Sequence, residues 1–511
     1  MAVAGVYREL GEVAWSWVLG QVREDDGPWL PEVVSDEEPP VGPADDRDSL
    51  YAGIAGLAPV LAEVGQYRAL TDAERSLAAG IVARLSVMAP VRTEPSLYDG
   101  LGGDVTALKL LAPGRERVAL RRLVELSTPA GWDTTVGVES GATGPFTDLV
   151  LGTAGVVLAA AWAGGDLAGE LMTTGGEALL RAADQTEAGL DWRMRPGYPA
   201  SSPNYSHGTA GVATALAIAG HALDRGDFLS AARQGAQHLL SVGSLDDQGF
   251  VVPHTLPYSQ REVEPVTYTW CHGPSGTSQL FAALAFAGVE QVGGYEVGAL
   301  RRRCLHSVLT SGLPRRLRPG FWDNDGRCCG TAGVGDVLLD AAQDSPDQAR
   351  REMLLGAAQT MGDALVDRAI RDEAGARWRF VEYRQDPISP SYALIEMIRA
   401  WTESPLRDRV GLTVHVVDDE VLYDITARRV DLDRLIFAAA GGPIRFWLES
   451  RDPDGVISRF LLLEPPGRSV TDMLNDVGVG GEDWSVTVEP DPCLEWTPWR
   501  LGDIRGPAVR R

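Results

Sequence analysis

The sequence predicts an all-α fold, a closed α/α toroid of inner and outer helices, with a small β-rich appendage at its carboxyl end. Three observations predict it: a Gly-x-x-Gly element that recurs six times, an apolar stretch after each copy, and amphipathic stretches between the copies. Glycine itself is in excess, with 58 residues, about 11% of the chain against a usual ~7%. Because no collagen period and no Gly/Ser tract is present, we assign much of this excess to the repeated element.

Each repeat is expected to contribute one buried inner helix. The stretch VATALAIAG after the fourth copy is small and apolar on every side, which is typical of a helix that is buried all round. Gly65, Gly164 and Gly220 follow three of the copies at the same interval and fit the C′ position of a helix, where a positive φ is needed. The copies begin at Gly53, Gly100, Gly152, Gly208, Gly273 and Gly330.

Amphipathic segments at 70–89, 116–126 and 343–369 predict outer helices between the inner ones. Helix pairs of this kind stack into an open solenoid or close into a ring. The apolar character of the inner helices favours closure, with six to seven repeats. In a closed ring the Gly-x-x-Gly loops meet at one rim, where they line a central pocket.

Three regions are predicted along the chain. Residues 1–44 form a helix and an acidic, proline-rich linker, and residues 45–406 form the toroid. Residues 407–511 form a β-rich or α+β domain, which either binds a peptide or partner enzyme or serves as a lid or dimer contact. Its expected strands lie at 412–417, 444–448, 459–463 and 484–488.

The charge of the chain limits its partners. Asp and Glu number 71 against 46 Lys and Arg, giving a net charge of −25. This surplus argues against nucleic acid and anionic lipid as main partners, since both require clustered cations. No apolar run approaches the ~20 residues of a membrane span, and the first 21 residues lack the features of a signal peptide. We therefore expect a cytoplasmic protein.

Three cysteines fall on two neighbouring rim loops. Cys271 lies two residues before Gly273, and Cys328 and Cys329 directly precede Gly330. Three protein ligands with an open fourth position are typical of catalytic zinc. The alternatives are three buried small apolar residues or a redox pair, and His272 is a competing ligand. Cys304 and Cys493 lie outside the repeated position and are interpreted as structural.

Two further polar residues belong to the same rim. His207 directly precedes Gly208, and Asp148 lies in the loop before Gly152. Repeat phase therefore places both on the side of the ring that carries the three cysteines.

These motifs together resemble the lanthionine synthetase C-like family over roughly residues 45–400. The family consists of α/α toroids with one catalytic zinc, so the resemblance implies Zn²⁺ bound by Cys271, Cys328 and Cys329 and displaces His272 from the ligand set. The matching segments are Ser49-Leu-Tyr-Ala-Gly-Ile-Ala-Gly56, Ser96-Leu-Tyr-Asp-Gly-Leu-Gly-Gly103, His207-Gly208, Trp270-Cys-His-Gly273 and Cys328-Cys-Gly330.

The resemblance also implies a reaction. Family members add a peptide cysteine thiol to dehydroalanine or dehydrobutyrine and so form (methyl)lanthionine thioether rings in a ribosomally made peptide. His207 resembles the family's acid/base histidine, and Asp148 resembles its partner acid. The expected partners are a dehydrated precursor peptide and a separate dehydratase, because no kinase signature accompanies the toroid.

Two departures from the family pattern concern the site and the ring. Some bacterial cyclases carry an Arg four residues before the first zinc cysteine, where this chain has Thr267. A seventh Gly-x-x-Gly is missing, although the apolar segment from Tyr392 fits a seventh inner helix.

Other functions remain open from the sequence. A related zinc enzyme would add a free thiol such as glutathione to dehydroamino acids, and a non-catalytic scaffold would hold a dehydratase. A prenyltransferase subunit would need an Asp/Cys/His zinc set, and a toroid glycosidase two facing carboxylates.

Overall fold

The structure is a computed structural model that describes residues 2–31, 34, 47–134, 145–198, 200–257, 266–315 and 324–378, and the backbone of five strands between 410 and 500. The chain divides into two compact units. One comprises Met1–Pro314 with Asn324–Phe380, and the other comprises Arg315–Asp323 with Val381–Arg511. The boundaries predicted at 44/45 and 406/407 stay predictions.

The first unit is an α/α toroid, which confirms the predicted fold class. Each inner helix packs against the outer helix that follows it and against the next inner helix. The inner helices are α2 (Leu57–Tyr67), α4 (Leu101–Leu111), α6 (Thr153–Ala163), α8 (Thr209–Leu223), α10 (Pro274–Phe286) and α12 (Thr331–Gln343). The outer helices are α3 (Asp72–Met88), α5 (Arg117–Leu126), α7 (Asp166–Ala182), α9 (Gly226–Val242), α11 (Val297–Thr310) and α13 (Gln348–Arg368).

Burial follows the residue pattern of each layer. Nearly every residue of the first three turns of α8 is buried, because this helix is surrounded by α6, α9 and α10. The outer helix α5 instead buries one stripe, Ala119, Leu120 and Leu123, and exposes its charged side chains. Small residues on the inner helices therefore allow close packing on all sides, while the outer helices need only one apolar face.

Helix α1 (Ala2–Gln21) joins the two ends of the ring. The hydroxyl of Tyr7 donates to Asp363 at 2.5 Å and lies 3.1 Å from the carbonyl oxygen of Gln359, both on α13. Trp15 donates its indole N–H to Glu74 on α3 at 2.8 Å. Helix α1 therefore bridges the first and the last described outer helix. Within the described ranges, no helix has both the length and the hydropathy to cross a membrane.

Short antiparallel hairpins occur along the same unit. They are β1 (Arg23–Glu24) with β2 (Pro28–Trp29), β3 (Asp184–Gln185) with β4 (Leu190–Asp191), β5 (Ser244–Leu245) with β6 (Phe250–Val251), β7 (Gln291–Val292) with β8 (Tyr295–Glu296), and β9 (Ile370–Asp372) with β10 (Gly375–Arg377).

The repeated glycines are required by close approach of the backbone. At Gly208 the φ is −169°, an extended value that any residue adopts. A Cβ there would overlap the carbonyl oxygen of Ser202, six residues earlier. The second glycine of a copy is placed similarly, since a Cβ at Gly333 would overlap the carbonyl oxygen of Arg327. The loop before each inner helix therefore folds back against its first turn, which leaves no room for a side chain.

The closing glycines were predicted at helix C′ positions, and this is right for only one of them. Gly164 follows α6 with φ +68°. Gly65 and Gly220 lie inside α2 and α8, which continue beyond them. A Cβ at Gly220 would lie 2.9 Å from the side chain of Leu229, so close packing of α8 on α9 explains this glycine.

The second unit is β-rich in its described part, as predicted. Strand β11 (Val410–Val417) pairs antiparallel with β12 (Glu420–Ala427), which also pairs with β15 (Thr497–Arg500). Strand β13 (Ile444–Arg451) pairs antiparallel with β14 (Ile457–Glu464). The strand expected at 484–488 and the seventh inner helix expected from Tyr392 lie outside the described residues.

Candidate active site and metal centre

The six rim loops are joined side by side by backbone hydrogen bonds. In every loop the bonded residue lies two positions before the first glycine of the Gly-x-x-Gly element. This shared register places equivalent positions of the six loops next to one another along one continuous rim. The bonds run from Tyr51 N to Tyr98 O (3.0 Å), Tyr98 N to Val150 O (3.4 Å), Val150 N to Ser206 O (3.2 Å), Ser206 N to Cys271 O (3.0 Å) and Cys271 N to Cys328 O (3.2 Å).

The rim brings the three predicted cysteines together. Cys271 Sγ lies 3.0 Å from Cys329 Sγ, which lies 3.2 Å from Cys328 Sγ. All three sulfurs lie within 4.8 Å of one another, and they form a group that could hold a metal ion. Sulfur ligands at about 2.3 Å around a tetrahedral zinc lie about 3.8 Å apart, so small side-chain rotations would suffice to fit the ion.

The ionisation of the three thiols also suits a cation. Burial is the largest cause that raises the pKa of Cys271 well above its ordinary value, and the hydrogen bonds with Cys328 and Cys329 raise it further. The same hydrogen bonds, from Cys271 and then Cys329, lower the pKa of Cys328. The negative charge of this coupled group is therefore favoured on Cys328 over Cys271. A divalent cation would stabilise all three thiolates, and Thr269 Oγ1 lies 3.4 Å from Cys271 Sγ as an outer hydrogen-bond partner.

His207 and Asp148 form a hydrogen-bonded pair on adjacent rim loops. His207 Nδ1 lies 2.6 Å from Asp148 Oδ2, and the other oxygen of Asp148 accepts the backbone N–H of Leu151 at 2.8 Å. Asp148 is 0% exposed, whereas the His207 side chain is 29% exposed. Burial lowers the pKa of His207, but the hydrogen bond and charge of Asp148 outweigh it, so the pKa is raised overall. The pair can therefore hold a proton at the rim.

Two more histidines lie beside this pair. The ring centroids of His207 and His272 are 5.7 Å apart, and those of His272 and His254 are 4.2 Å apart. Among the described residues, the group that can converge on one metal ion consists of the three cysteines and does not include His272. His254 lies after β6, outside the repeated loops, and sequence reasoning missed it.

A row of aromatic rings lies beside the cysteines, and the hydroxyl of Tyr51 hydrogen-bonds Cys328. Tyr51, Tyr98, Trp270 and Tyr205 form a row of edge-to-face contacts with centroids 5.4–6.1 Å apart. The hydroxyl of Tyr51 is partly desolvated, and this desolvation together with the negative charge of the cysteine group raises the pKa of Tyr51. Sequence reasoning missed this row, although the register that identified Cys271 and Cys328 also contains Tyr51 and Tyr98.

The remaining residues of interest lie as follows, among them Asp99, which sequence reasoning missed. Asp99 has the same register as His207, and its charge contributes to raising the pKa of His207. Thr267, where some relatives carry an Arg, is buried. Cys304 is buried in α11, packed in the hydrophobic core, and Cys493 lies outside the described residues.

Comparisons with known proteins gave a family match and similar solved structures. A family model described as lanthionine synthetase C-like protein matches residues 44–367. Among solved structures, a nisin cyclase is similar at 16% identity and a TM-score of 0.44, covering 64% of this chain and 84% of its own. A UGL structure with dGlcA-Glc-Rha-Glc is similar at 16% identity and a TM-score of 0.36, covering 73% and 86%. The comparison with curated proteins gave no match.

Proposed function

Since the chain belongs to the lanthionine synthetase C-like family, we propose that it is a zinc-dependent cyclase acting on a dehydrated peptide. It would add cysteine thiols of that peptide to dehydroalanine or dehydrobutyrine and so form thioether rings. One observation supports this most: three thiols and a His–Asp pair, carried by four consecutive rim loops, lie at one rim of the toroid.

The His207–Asp148 pair suits the proton transfers of this reaction. Asp148 accepts from Nδ1 and leaves Nε2 of the neutral ring as the acceptor. When the substrate thiol loses its proton to Nε2, the sulfur electron pair forms a bond to the β-carbon. The alkene π pair moves onto the carbonyl as an enolate. Returning the proton from His207 to the α-carbon completes the addition without any other reactant.

The cysteine group would hold the zinc ion through Cys271, Cys328 and Cys329. When bound, zinc would lower the pKa of a substrate thiol that binds to it. Three protein thiolates place more negative charge around the ion than a Cys/Cys/His set does. We therefore expect a substrate sulfur at this site to stay strongly nucleophilic.

The test uses a model peptide with one dehydroalanine and one cysteine. Because cyclisation does not change mass, loss of the thiol that N-ethylmaleimide can alkylate is the readout. Wild type should protect the thiol, and Cys271→Ala should not. The matched control is Cys304→Ala, a buried cysteine in the outer helix α11, which should retain activity. Equal protection by wild type and Cys271→Ala would overturn the proposal.

Two further arms separate the alternatives. A dehydroalanine peptide without cysteine, incubated with glutathione, gains the mass of glutathione if the enzyme adds free thiols instead. A wild type that binds zinc but catalyses neither reaction would indicate a scaffold. The proposed partners are the dehydrated precursor peptide and a separate dehydratase. The proposed compartment is the reducing cytoplasm, where the free thiols would stay reduced.

A further inference from the structure

Four polar side chains form a row at the rim. It begins with Asp148, continues through His207 and His272, and ends at His254. His272 is 7% exposed and His254 is 4% exposed, so both imidazoles are buried behind the partly exposed His207. Two buried imidazoles behind an acid/base histidine exceed what the His207–Asp148 pair requires.

The His254 end of this row is held by hydrogen bonds. Asn204 donates its side-chain N–H to the carbonyl of His254 at 2.8 Å and to that of Pro253 at 2.9 Å. Ser201 and Leu256 exchange two backbone hydrogen bonds of 2.8 and 2.7 Å. The segment that carries His254 is therefore fastened to the loop that carries His207, although it comes from the hairpin after α9.

The ring contacts restrict the plane of His207. Rotation of a histidine ring about its last side-chain bond is only weakly restricted by the side chain itself. The hydrogen bond to Asp148 restrains the His207 ring on its Nδ1 side. His272 lies against the His207 ring at an angle of 38° between planes. His254 in turn contacts His272 edge to face, at 71°. A ring packed between Asp148 and His272 keeps its free nitrogen in one direction.

We infer that His272 and His254 are positioning residues that fix the His207 ring for proton return to the substrate α-carbon. This inference rests on the proposed cyclase function. The carbon that His207 protonates becomes a stereocentre, so a fixed ring delivers the proton to one face of the enolate. The contacts on which the inference rests are ring-to-ring packing contacts, which another aromatic ring at the same position would also make.

Ring removal and ring replacement distinguish this role from a general structural one. His254→Ala and His272→Ala should lower kcat by about 10–100-fold with little change in KM, since misplacement by ~1 Å has effects of that size. Their products should contain a second diastereomer at the α-carbon. His254→Phe and His272→Phe keep a ring and should recover most of kcat and a single diastereomer.

A matched control is His238, a buried histidine of α9 that contacts Asp191 and Thr186 and lies outside the rim loops. His238→Ala should lower stability while leaving the diastereomer ratio unchanged. Chiral analysis of the hydrolysed thioether gives that ratio. If His254→Ala and His272→Ala form a single diastereomer at the wild-type rate, the inference is overturned.

A second readout needs no turnover. The chain has seven histidines, so ¹⁵N-histidine NMR with His207→Gln for assignment can follow one ring. We expect a single Nδ1–H tautomer for His207 in wild type and in the Phe variants, and broadened signals in the Ala variants. Unchanged His207 signals in both Ala variants would overturn the inference. If wild type fails to cyclise peptides, the proposed function fails, while these spectra still decide whether His207 is held.

Discussion

Nδ1 of His207 lies 2.6 Å from Oδ2 of the fully buried Asp148. A second His–Asp contact lies elsewhere in the ring, where His238 Nε2 is 3.5 Å from Asp191 Oδ1 and makes no hydrogen bond to it. The two pairs share burial of the acid but differ in place. The first lies at the rim, and the second lies between the outer helix α9 and strand β4.

We predict that Asp148→Asn lowers kcat by about 100-fold or more while zinc content stays unchanged. The amide can donate to Nδ1 and so favour the tautomer whose Nε2 carries the proton, which abolishes the acceptor. Cyclisation rates and metal analysis measure the two effects. Asp191→Asn is the control, and a similar loss of rate in both variants would assign Asp148 a structural role only.

We predict that kcat/KM falls as pH decreases through the pKa of His207, which lies above its ordinary value of about 6.5. A protonated ring cannot accept a proton, so the protonated enzyme is the inactive form. Removing the charge of Asp148 lowers this pKa. The acid limb of the residual Asp148→Asn activity should therefore move to lower pH. If the acid limb of the pH profile lies at the same pH in both enzymes, then a group other than His207 causes it.

We predict that Cys329→His retains about one zinc per chain but cyclises peptides several-fold more slowly. Imidazole is also a zinc ligand, but it is neutral where the thiolate is negative, so it neutralises less of the ion's positive charge. The substrate sulfur should then be less nucleophilic. Metal analysis and single-turnover cyclisation test this prediction. An unchanged or faster rate would contradict the argument from ligand charge.

We predict that Gly208→Ala destabilises the chain by ~2–4 kcal/mol, because its Cβ would overlap the Ser202 carbonyl oxygen. Gly356→Ala is the matched control, since nothing lies within 4 Å of a Cβ at this position inside α13. That substitution should stabilise by ~0.5–1 kcal/mol through helix propensity. Urea unfolding compares the two, and equal stabilities would refute the close-approach explanation.

The repeat pattern located the inner helices well because one steric requirement recurs. Helices α4, α6 and α8 begin directly after Gly100, Gly152 and Gly208, as expected for glycines whose position admits no side chain. The hairpins of two-residue strands have no periodicity that a sequence could display. Gly220 was misassigned because the sequence does not distinguish a glycine required by close helix packing from one required by a positive φ.

The candidate site was predictable to the extent that repeat phase controls it. Phase placed Cys271, Cys328 and His207 on one rim, and the same argument could have identified Asp99 and Tyr51. His254 could not be found in this way. It reaches the row of histidines from another part of the repeat, through tertiary hydrogen bonds that leave no local sequence signal.

The rim loops follow one another around the ring in the order in which they are synthesised. Each rim loop from Tyr51 onward donates to the loop of the repeat that follows it, and the last described donor is Cys271, whose partner is Cys328. During synthesis the segments with Asp148 and His207 leave the ribosome well before Cys328 and Cys329. A chain interrupted before the sixth repeat therefore carries His207 and Asp148 without Cys328 and Cys329. Under the proposed function, metal loading would mark a chain whose sixth repeat has been made.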